Sequence, residues 1–147
     1  MTGPGSRLQP RVVITYGTFD LLHVGHVHML RRLRDLGTRL VVGISTDEFN
    51  ATKGKTSLVP YADRAIIVGA LGAVDEVFPE TCWEQKRYDV IRYGAAVFGI
   101  GDDWAGHFDH LSDLCRVVYL PRTPDISSTM IRGSIDPADL LPRPRVP

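Results

Sequence analysis

The sequence predicts an α/β fold built on a five-stranded parallel sheet with helices on both faces. Two observations carry this prediction. Short apolar runs rich in β-branched residues alternate along the chain with amphipathic segments of helical spacing, which indicates consecutive βαβ units. The apolar runs are also nearly continuous, as is typical of strands buried on both faces of a parallel sheet.

Five segments are predicted strands because each is short and rich in β-branched or aromatic residues. In chain order they are Arg11–Tyr16 (RVVITY), Leu40–Ser45 (LVVGIS), Val74–Phe78 (VDEVF), Ala96–Ile100 (AVFGI) and Arg116–Leu120 (RVVYL).

The clearest predicted helix is Val27–Leu36, where apolar residues recur at helical spacing on one face and arginines lie off that face. Gly37 is a typical residue at which such a helix ends. Further helices are predicted at Asp63–Leu71, at Gln85–Tyr93, at Phe108–Leu114 and over Ser127–Gly133.

The length of 147 residues fits a single domain. Residues 1–10 are rich in Gly, Pro and Ser and are expected to form a flexible leader. Residues 11–135 are expected to form the domain, and residues 136–147 a proline-rich tail.

Composition narrows the classes of function. Lys and Arg number 17, as do Asp and Glu, so the basic excess typical of nucleic-acid binding is lacking. No apolar run approaches the roughly 18–20 residues of a membrane span, and no export leader is evident, which favours a cytoplasmic protein. Cys82 and Cys115 lack CxxC spacing, so free thiols are expected, with a disulfide or a two-cysteine metal site as the alternative.

The loops that follow the strands hold the chemistry, because parallel sheets bind ligands at the carboxyl ends of their strands. The first strand leads through Gly17–His26 (GTFDLLHVGH) into a helix. Helix N-termini attract anions, and Gly25 allows a phosphate to approach the backbone. His23 and His26 share one face and could donate hydrogen bonds to a phosphate as charge develops. Two alternatives are polar helix-end histidines and a zinc site, although the latter lacks a third ligand and the HExxH pattern.

This string resembles the signature of the cytidylyltransferase branch of the HxGH nucleotidyltransferase superfamily, and is most similar to bacterial glycerol-3-phosphate cytidylyltransferases. The resemblance extends from Val13 to about Ile135. It includes STDEFN (Ser45–Asn50), VDEV (Val74–Val77), WEQK (Trp83–Lys86), GDDW (Gly101–Trp104) and VVYLPRT (Val117–Thr123).

The resemblance implies a Rossmann-like nucleotidyltransferase fold and the transfer of CMP from CTP to a small phosphorylated alcohol, with release of pyrophosphate. Glycerol 3-phosphate is the expected acceptor. The resemblance also implies Mg²⁺ held through the triphosphate rather than by the protein, and a homodimer. The rival hypotheses are an adenylyltransferase and a catalytically silent nucleotide-binding regulator.

Only three of the 17 basic residues are lysines, and all three fall in family strings. Lys53 and Lys55 lie in a Gly-containing loop and could neutralise a triphosphate. The resemblance assigns both lysines to the substrates, Lys86 to the acceptor phosphate and Trp83 to the acceptor pocket. The alternatives are a surface lysine for Lys86 and a buried core tryptophan for Trp83.

Arg64 matches a site arginine of the family, and its alternative role is a salt bridge with Asp63 or Asp47. Asp102 and Asp103 follow a predicted strand and could hold the base or the sugar, act indirectly on a metal, or cap a helix.

A second signature begins at Arg122. Arg122–Thr129 (RTPDISST) resembles the family's Arg-Thr-x-Gly-Ile-Ser-Thr-Thr, and hydroxyls at a helix start behind an arginine suit the β- and γ-phosphates.

The candidate site therefore has three groups of residues, some of which serve in more than one group. The catalytic candidates are His23, His26, Lys53 and Arg122. The nucleotide-binding candidates are Gly17, Thr18, Phe19, His23, Val24, Gly25, His26, Lys55, Arg64, Asp102, Asp103, Arg122, Thr123, Ile126, Ser127, Ser128 and Thr129. The acceptor-binding candidates are Asp20, Lys53, Trp83 and Lys86.

Two departures from the family pattern keep the acceptor open. Asp125 stands where the family has glycine, and Gly72-Ala73 stand where relatives commonly have Arg-Tyr. Asp125 adds a negative charge and Gly72-Ala73 removes a cation, so both changes make the local charge less positive. Choline phosphate, ethanolamine phosphate, another polyol phosphate or a phosphonate are therefore alternative acceptors.

Overall fold

The computed structural model describes residues 10–122, and its centre is a five-stranded sheet. All strand pairs are parallel, and the strand order is β3-β2-β1-β4-β5. The strands are β1 (Val12–Gly17), β2 (Arg39–Ser45), β3 (Glu76–Glu80), β4 (Ala95–Gly101) and β5 (Arg116–Leu120). The predicted α/β fold with a five-stranded parallel sheet is confirmed.

In the described part of the chain, four α-helices connect the strands, together with two short 3₁₀ turns at Asp102–Trp104 and Asp109–Leu111. The helices are α1 (Val24–Arg34), α2 (Asp47–Thr52), α3 (Tyr61–Gly69) and α4 (Gln85–Tyr93). Within residues 10–122, no helix is both long and apolar enough to cross a bilayer.

Both faces of the sheet are covered, as predicted. On one face Ile14 and Tyr16 pack with Phe98 and with Val90 of α4. On the other face Val13 packs with residues of α1 and α3, among them Leu30, Leu33 and Val68. Successive strand residues point to opposite faces, so β1 supplies both cores.

The ring of Tyr16 packs closely against Gly43 on the neighbouring strand β2. A Cβ atom on Gly43 would lie 2.4 Å from the Tyr16 ring, so glycine on β2 leaves room for that ring. Tyr16 can therefore lie flat along the sheet and reach the carboxyl end, where its hydroxyl donates to Asp89 at 2.7 Å.

Several element boundaries differ from the prediction. Helix α1 begins at Val24 rather than Val27, because the His23 side chain caps it. Strand β3 is shifted two residues towards the C-terminus, because the Val74 N–H bonds to Leu71 in a turn. Helix α2 was not predicted, and it forms because the Thr46 hydroxyl accepts the Phe49 N–H at 3.1 Å.

The predicted helix over Phe108–Leu114 is wrong. Only a single 3₁₀ turn, Asp109–Leu111, forms there, with the Leu111 N–H bonded to the Phe108 carbonyl at 3.0 Å. The predicted helix over Ser127–Gly133 lies outside the described residues, as do most of the leader and the whole tail.

Candidate functional site

A cavity of about 510 Å³ opens at the carboxyl ends of the strands. Four strands contribute to it, through Gly17 of β1, Ser45 of β2, Glu80 of β3 and Ile100 of β4. The predicted site residues on its wall are Gly17, Thr18, Phe19, Asp20, His26, Lys53, Lys55, Trp83 and Lys86. The structure thus brings the first signature, the lysine loop and the WEQK string to one cavity.

The two signature histidines form a reciprocal cap at the start of α1. The Gly25 N–H donates to His23 Nδ1 at 3.0 Å, and the His23 N–H donates to His26 Nδ1 at 3.1 Å. Because each Nδ1 accepts a hydrogen bond, each neutral ring carries its proton on Nε2. The cap therefore leaves two Nε2–H donors, with the ring centroids 3.9 Å apart.

The pKa values of both histidines are lowered, which favours their neutral form. Burial and, to a smaller extent, repulsion from His23 lower the pKa of His26, and Asp20 partly opposes the shift, so that the pKa is about 4. Burial also lowers the pKa of His23. His26 lines the cavity and His23 does not, so His26 is the donor placed to meet a ligand.

The turn between β1 and α1 is strained. Phe19 and Leu21 have φ angles of 55° and 50°, which non-glycine residues adopt at a cost of about 1–3 kcal/mol each. Asp20 lies between them and is buried. Its carboxylate accepts the N–H groups of Leu58 and Val59, each at 2.9 Å, which ties the strained turn to the end of the lysine loop.

Arg64 lies beneath this arrangement rather than on the cavity wall. It is 1% exposed, and its guanidinium donates to the carbonyls of Thr18, Ser45 and Val59 at 2.7–2.8 Å. It also pairs with Asp47 at 2.7 Å, the salt bridge considered as its alternative role. Arg64 therefore holds three site loops together and lines neither this cavity nor the smaller one beside it.

The three lysines occupy different environments. Lys86 is buried and paired with Glu80, so the surface-lysine alternative is wrong. Lys53 is half-buried, with its ammonium 4.3 Å from the ring centroid of Phe49, and burial lowers its pKa. Lys55 is exposed in the same loop.

Trp83 stands on the cavity wall with 43% of its surface exposed, so the buried-core alternative is wrong. It contacts Trp104, with ring centroids 5.8 Å apart.

Sequence reasoning missed nine wall residues, namely Tyr16, Ser45, Gly54, Thr56, Ser57, Glu80, Ile100, Trp104 and Phe108. Ser45 and Glu80 end strands, a signal that could have found them. Trp104 belongs to the GDDW string that was singled out. Tyr16 and Phe108 carried no signal, because each is also a buried core residue.

A second cavity of about 250 Å³ shares the walls formed by Gly17, Thr18, Phe19 and His26. It adds Asp103 and Arg122, whose side chains pair at 2.5 Å. The 3₁₀ turn begun by Asp102 has no side-chain cap, so the capping alternative is wrong for both aspartates. Val24, Gly25 and Asp102 line neither cavity.

The remaining predicted site residues belong to the second signature. Thr123, Ile126, Ser127, Ser128 and Thr129 lie outside the described residues, as does the departure Asp125.

Gly72 and Ala73 line neither cavity, and a Cβ on Gly72 would meet no atom within 4 Å. Cys82 and Cys115 are free, as expected. Over residues 10–122, no group of three or more His, Cys, Asp or Glu side chains could hold a metal ion.

Comparison with known proteins supports the same interpretation. Residues 14–134 match the family model described as cytidylyltransferase-like. The chain is 55% identical over 123 residues to a glycerol-3-phosphate cytidylyltransferase of Bacillus subtilis, covering 84% of this chain and 95% of the relative. A glycerol-3-phosphate cytidylyltransferase of Staphylococcus aureus is 50% identical over 123 residues, covering 84% and 93%.

Among solved structures, a lipopolysaccharide core biosynthesis protein from Thermoplasma volcanium superposes with a TM-score of 0.70. It covers 78% of this chain and 99% of its own, at 23% identity. At that identity the similarity supports the fold alone.

Proposed function

The chain belongs to the cytidylyltransferase-like family, and from that premise we propose that it is a glycerol-3-phosphate cytidylyltransferase. It transfers CMP from CTP to glycerol 3-phosphate and forms CDP-glycerol and pyrophosphate. The observation that carries the proposal is one cavity that joins the neutral donor His26 to Lys53, Lys55 and Lys86. The relatives that are 50–55% identical and bear this name support the choice of acceptor.

The reaction is an in-line displacement at the α-phosphorus of CTP. An oxygen of the acceptor phosphate forms the new P–O bond, while the bond to the bridging α–β oxygen breaks and pyrophosphate leaves with that electron pair. The attacking oxygen is already ionised near neutral pH, so no general base is needed. Catalysis then rests on positioning and on stabilising the developing charge.

His26 suits the second task. Its pKa of about 4 makes it a poor base at neutral pH, while its Nε2–H is a donor that carries no full charge. It can donate to a non-bridging oxygen of the α-phosphate as negative charge builds up there. His23 holds His26 in the required tautomer and orientation through the reciprocal cap.

The three lysines are proposed to bind different substrates. Lys86 is fixed in the inner wall by Glu80 and can meet the acceptor phosphate. Lys53 and Lys55 stand in the loop that follows α2 and can neutralise the phosphates of CTP. Arg122 pairs with Asp103 on the wall of the second cavity and would contact the nucleotide there.

Mg²⁺ accompanies CTP in this proposal. A hard cation prefers oxygen ligands, which the triphosphate would supply, so bound Mg²⁺ would offset phosphate charge while Lys53 and Lys55 hold the phosphates. The cytoplasm is the proposed location, supported by the free thiols of Cys82 and Cys115. A homodimer is the proposed assembly, and the exposed side chains of Ile66 and Ile67 on α3 support a protein contact.

The deciding experiment measures pyrophosphate release with CTP or ATP against glycerol 3-phosphate, choline phosphate and ethanolamine phosphate. We expect the fastest turnover with CTP and glycerol 3-phosphate. Equal or faster turnover with ATP would contradict the cytidylyl assignment. Faster turnover with another acceptor would contradict glycerol 3-phosphate, and no turnover with any pair would favour a silent regulator.

A further inference from the structure

Glu80 is a carboxylate on the cavity wall for which the transfer reaction has no use. It ends β3, is 3% exposed and lines the cavity. One carboxylate oxygen accepts from the Ser45 hydroxyl at 2.6 Å, and the other accepts from the Lys86 ammonium. A carboxylate offers about four acceptor sites, so these two bonds leave capacity for another donor.

A carboxylate is an unexpected neighbour for a phosphate. It repels the acceptor phosphate and cancels part of the attraction of Lys86. Repulsion would place a bound phosphate on the side of Lys86 away from Glu80, where the remaining N–H groups of the ammonium can donate. The rest of the acceptor molecule would then face Glu80.

Glu80 can bind only a donor, and its orientation is fixed. Ser45 and Lys86 hold it from two sides, and the rings of Tyr16, Trp83 and Phe108 lie 4.7–5.6 Å from the same ammonium. An ionised phosphate has no proton to donate, whereas an alcohol has one. Glu80 is a hydrogen-bond acceptor of fixed orientation beside three aromatic rings. It can therefore distinguish one substrate from another by the hydroxyl groups that each carries.

We propose that Glu80 is a specificity-determining residue that accepts a hydrogen bond from a hydroxyl of the acceptor's carbon chain, so that the cavity selects polyol phosphates over simple alkyl phosphates. This inference rests on the proposed function. It adds the class of substrate, polyol phosphates, and names Glu80 as the residue that recognises that class.

The test compares glycerol 3-phosphate with n-propyl phosphate, which has the same carbon count and phosphate but no hydroxyl. The value of kcat/KM is measured for both acceptors with saturating CTP. We expect the wild type to prefer glycerol 3-phosphate, and Glu80→Gln to lower that preference by about 10- to 100-fold, as for a lost hydrogen bond to a charged group. Glu48→Gln, an exposed glutamate that lines neither cavity, is the matched control and should keep the preference.

Two results would overturn the inference. The first is equal kcat/KM for glycerol 3-phosphate and n-propyl phosphate in the wild type, which needs no variant to detect. A parallel loss for both acceptors in Glu80→Gln, with the preference kept, would mean that Glu80 only supports Lys86. Because Glu80→Gln leaves Lys86 unpaired, Glu80→Asp serves as a second variant that keeps the charge and withdraws the carboxylate by one methylene, and it should lower the preference too. Failure of the proposed function is separate, since the wild type would then form no CDP-glycerol.

Discussion

Two regions of the cavity wall, the start of α1 and the segment between β3 and α4, differ in their electrostatics. At the start of α1, His26 is neutral at pH 7 because its pKa is lowered to about 4, and the backbone N–H of His23 fixes its orientation. Between β3 and α4, Lys86 and Glu80 are buried as a charged pair, and their orientation is fixed by side chains. One region supplies a donor of fixed direction without a full charge, and the other supplies full charges in a place that water reaches poorly.

This difference indicates a division of labour. A neutral donor gains most when charge develops on the substrate, so changes at His26 should act mainly on kcat. A fixed cation binds a phosphate that is charged before and during the reaction, so changes at Lys86 should act mainly on the KM of the acceptor. The predictions below test that division.

The largest expected effect is on stability, from Lys86→Met. The variant leaves the Glu80 carboxylate buried without its cation, which should lower the free energy of unfolding by about 3–5 kcal/mol at pH 7. Urea denaturation measures the loss. The double variant Glu80→Leu, Lys86→Met should regain most of that stability but keep the raised acceptor KM. A single variant as stable as the wild type would show that the pair is not buried in solution.

The next effect is on catalysis, from His26→Ala. Removing one transition-state donor should lower kcat by about 10²–10³, with the KM of the acceptor nearly unchanged. Steady-state kinetics measures both, and circular dichroism checks the fold. His28→Ala is the matched control, because His28 is exposed on the same helix and should leave kcat unchanged. A folded His26→Ala variant with normal kcat would return His26 to the role of a helix cap alone.

The third effect is the pH dependence of stability. The folded-state pKa of His26 is lowered from 6.5 to about 4, so between those values the unfolded chain binds more protons than the folded protein. The contribution to stability is therefore complete above about pH 6.5 and is lost as the pH falls towards 4, by about 3 kcal/mol at most.

His26→Asn keeps an acceptor for the His23 N–H but does not titrate, so it isolates this effect. Its loss of stability between pH 6.5 and 4 should be smaller than that of the wild type, measured by urea denaturation at each pH. Equal slopes for the two proteins would show that burial does not depress the pKa of His26.

The sequence predicts most of the fold because the strands are apolar runs that alternate with amphipathic helices, a pattern typical of parallel sheets. The five strands and the helix over Gln85–Tyr93 follow from local pattern. Helix α2 and the 3₁₀ turn at Asp109–Leu111 do not, because each depends on hydrogen bonds at single positions: the Thr46 cap in the first case and the bond from Leu111 to Phe108 in the second.

The two regions of the site differ in the same way. The histidine turn is visible in the sequence, because its residues are neighbours in the chain and form a motif. The partnership of Ser45, Glu80 and Lys86 is not visible, because it joins β2, β3 and α4 through tertiary contact. The role of Arg64 is also set by distant carbonyls, and only the structure shows that its guanidinium makes four hydrogen bonds within the protein.

The smallest expected effect is from Ser45→Ala, and it tests the charged region without removing a charge. The variant deletes one buried hydrogen bond to Glu80 and leaves the pair with Lys86 in place. The free energy of unfolding should fall by about 1–3 kcal/mol, at the low end because Glu80 keeps its cation. The carboxylate then has one support fewer, so the KM of glycerol 3-phosphate should rise a few-fold, while kcat stays the same because His26 is untouched. Ser112→Ala, at an exposed serine that does not line the cavity, should change neither value. A fall in kcat at constant KM would contradict the division of labour, because a residue of the binding region would then act on the transition state alone.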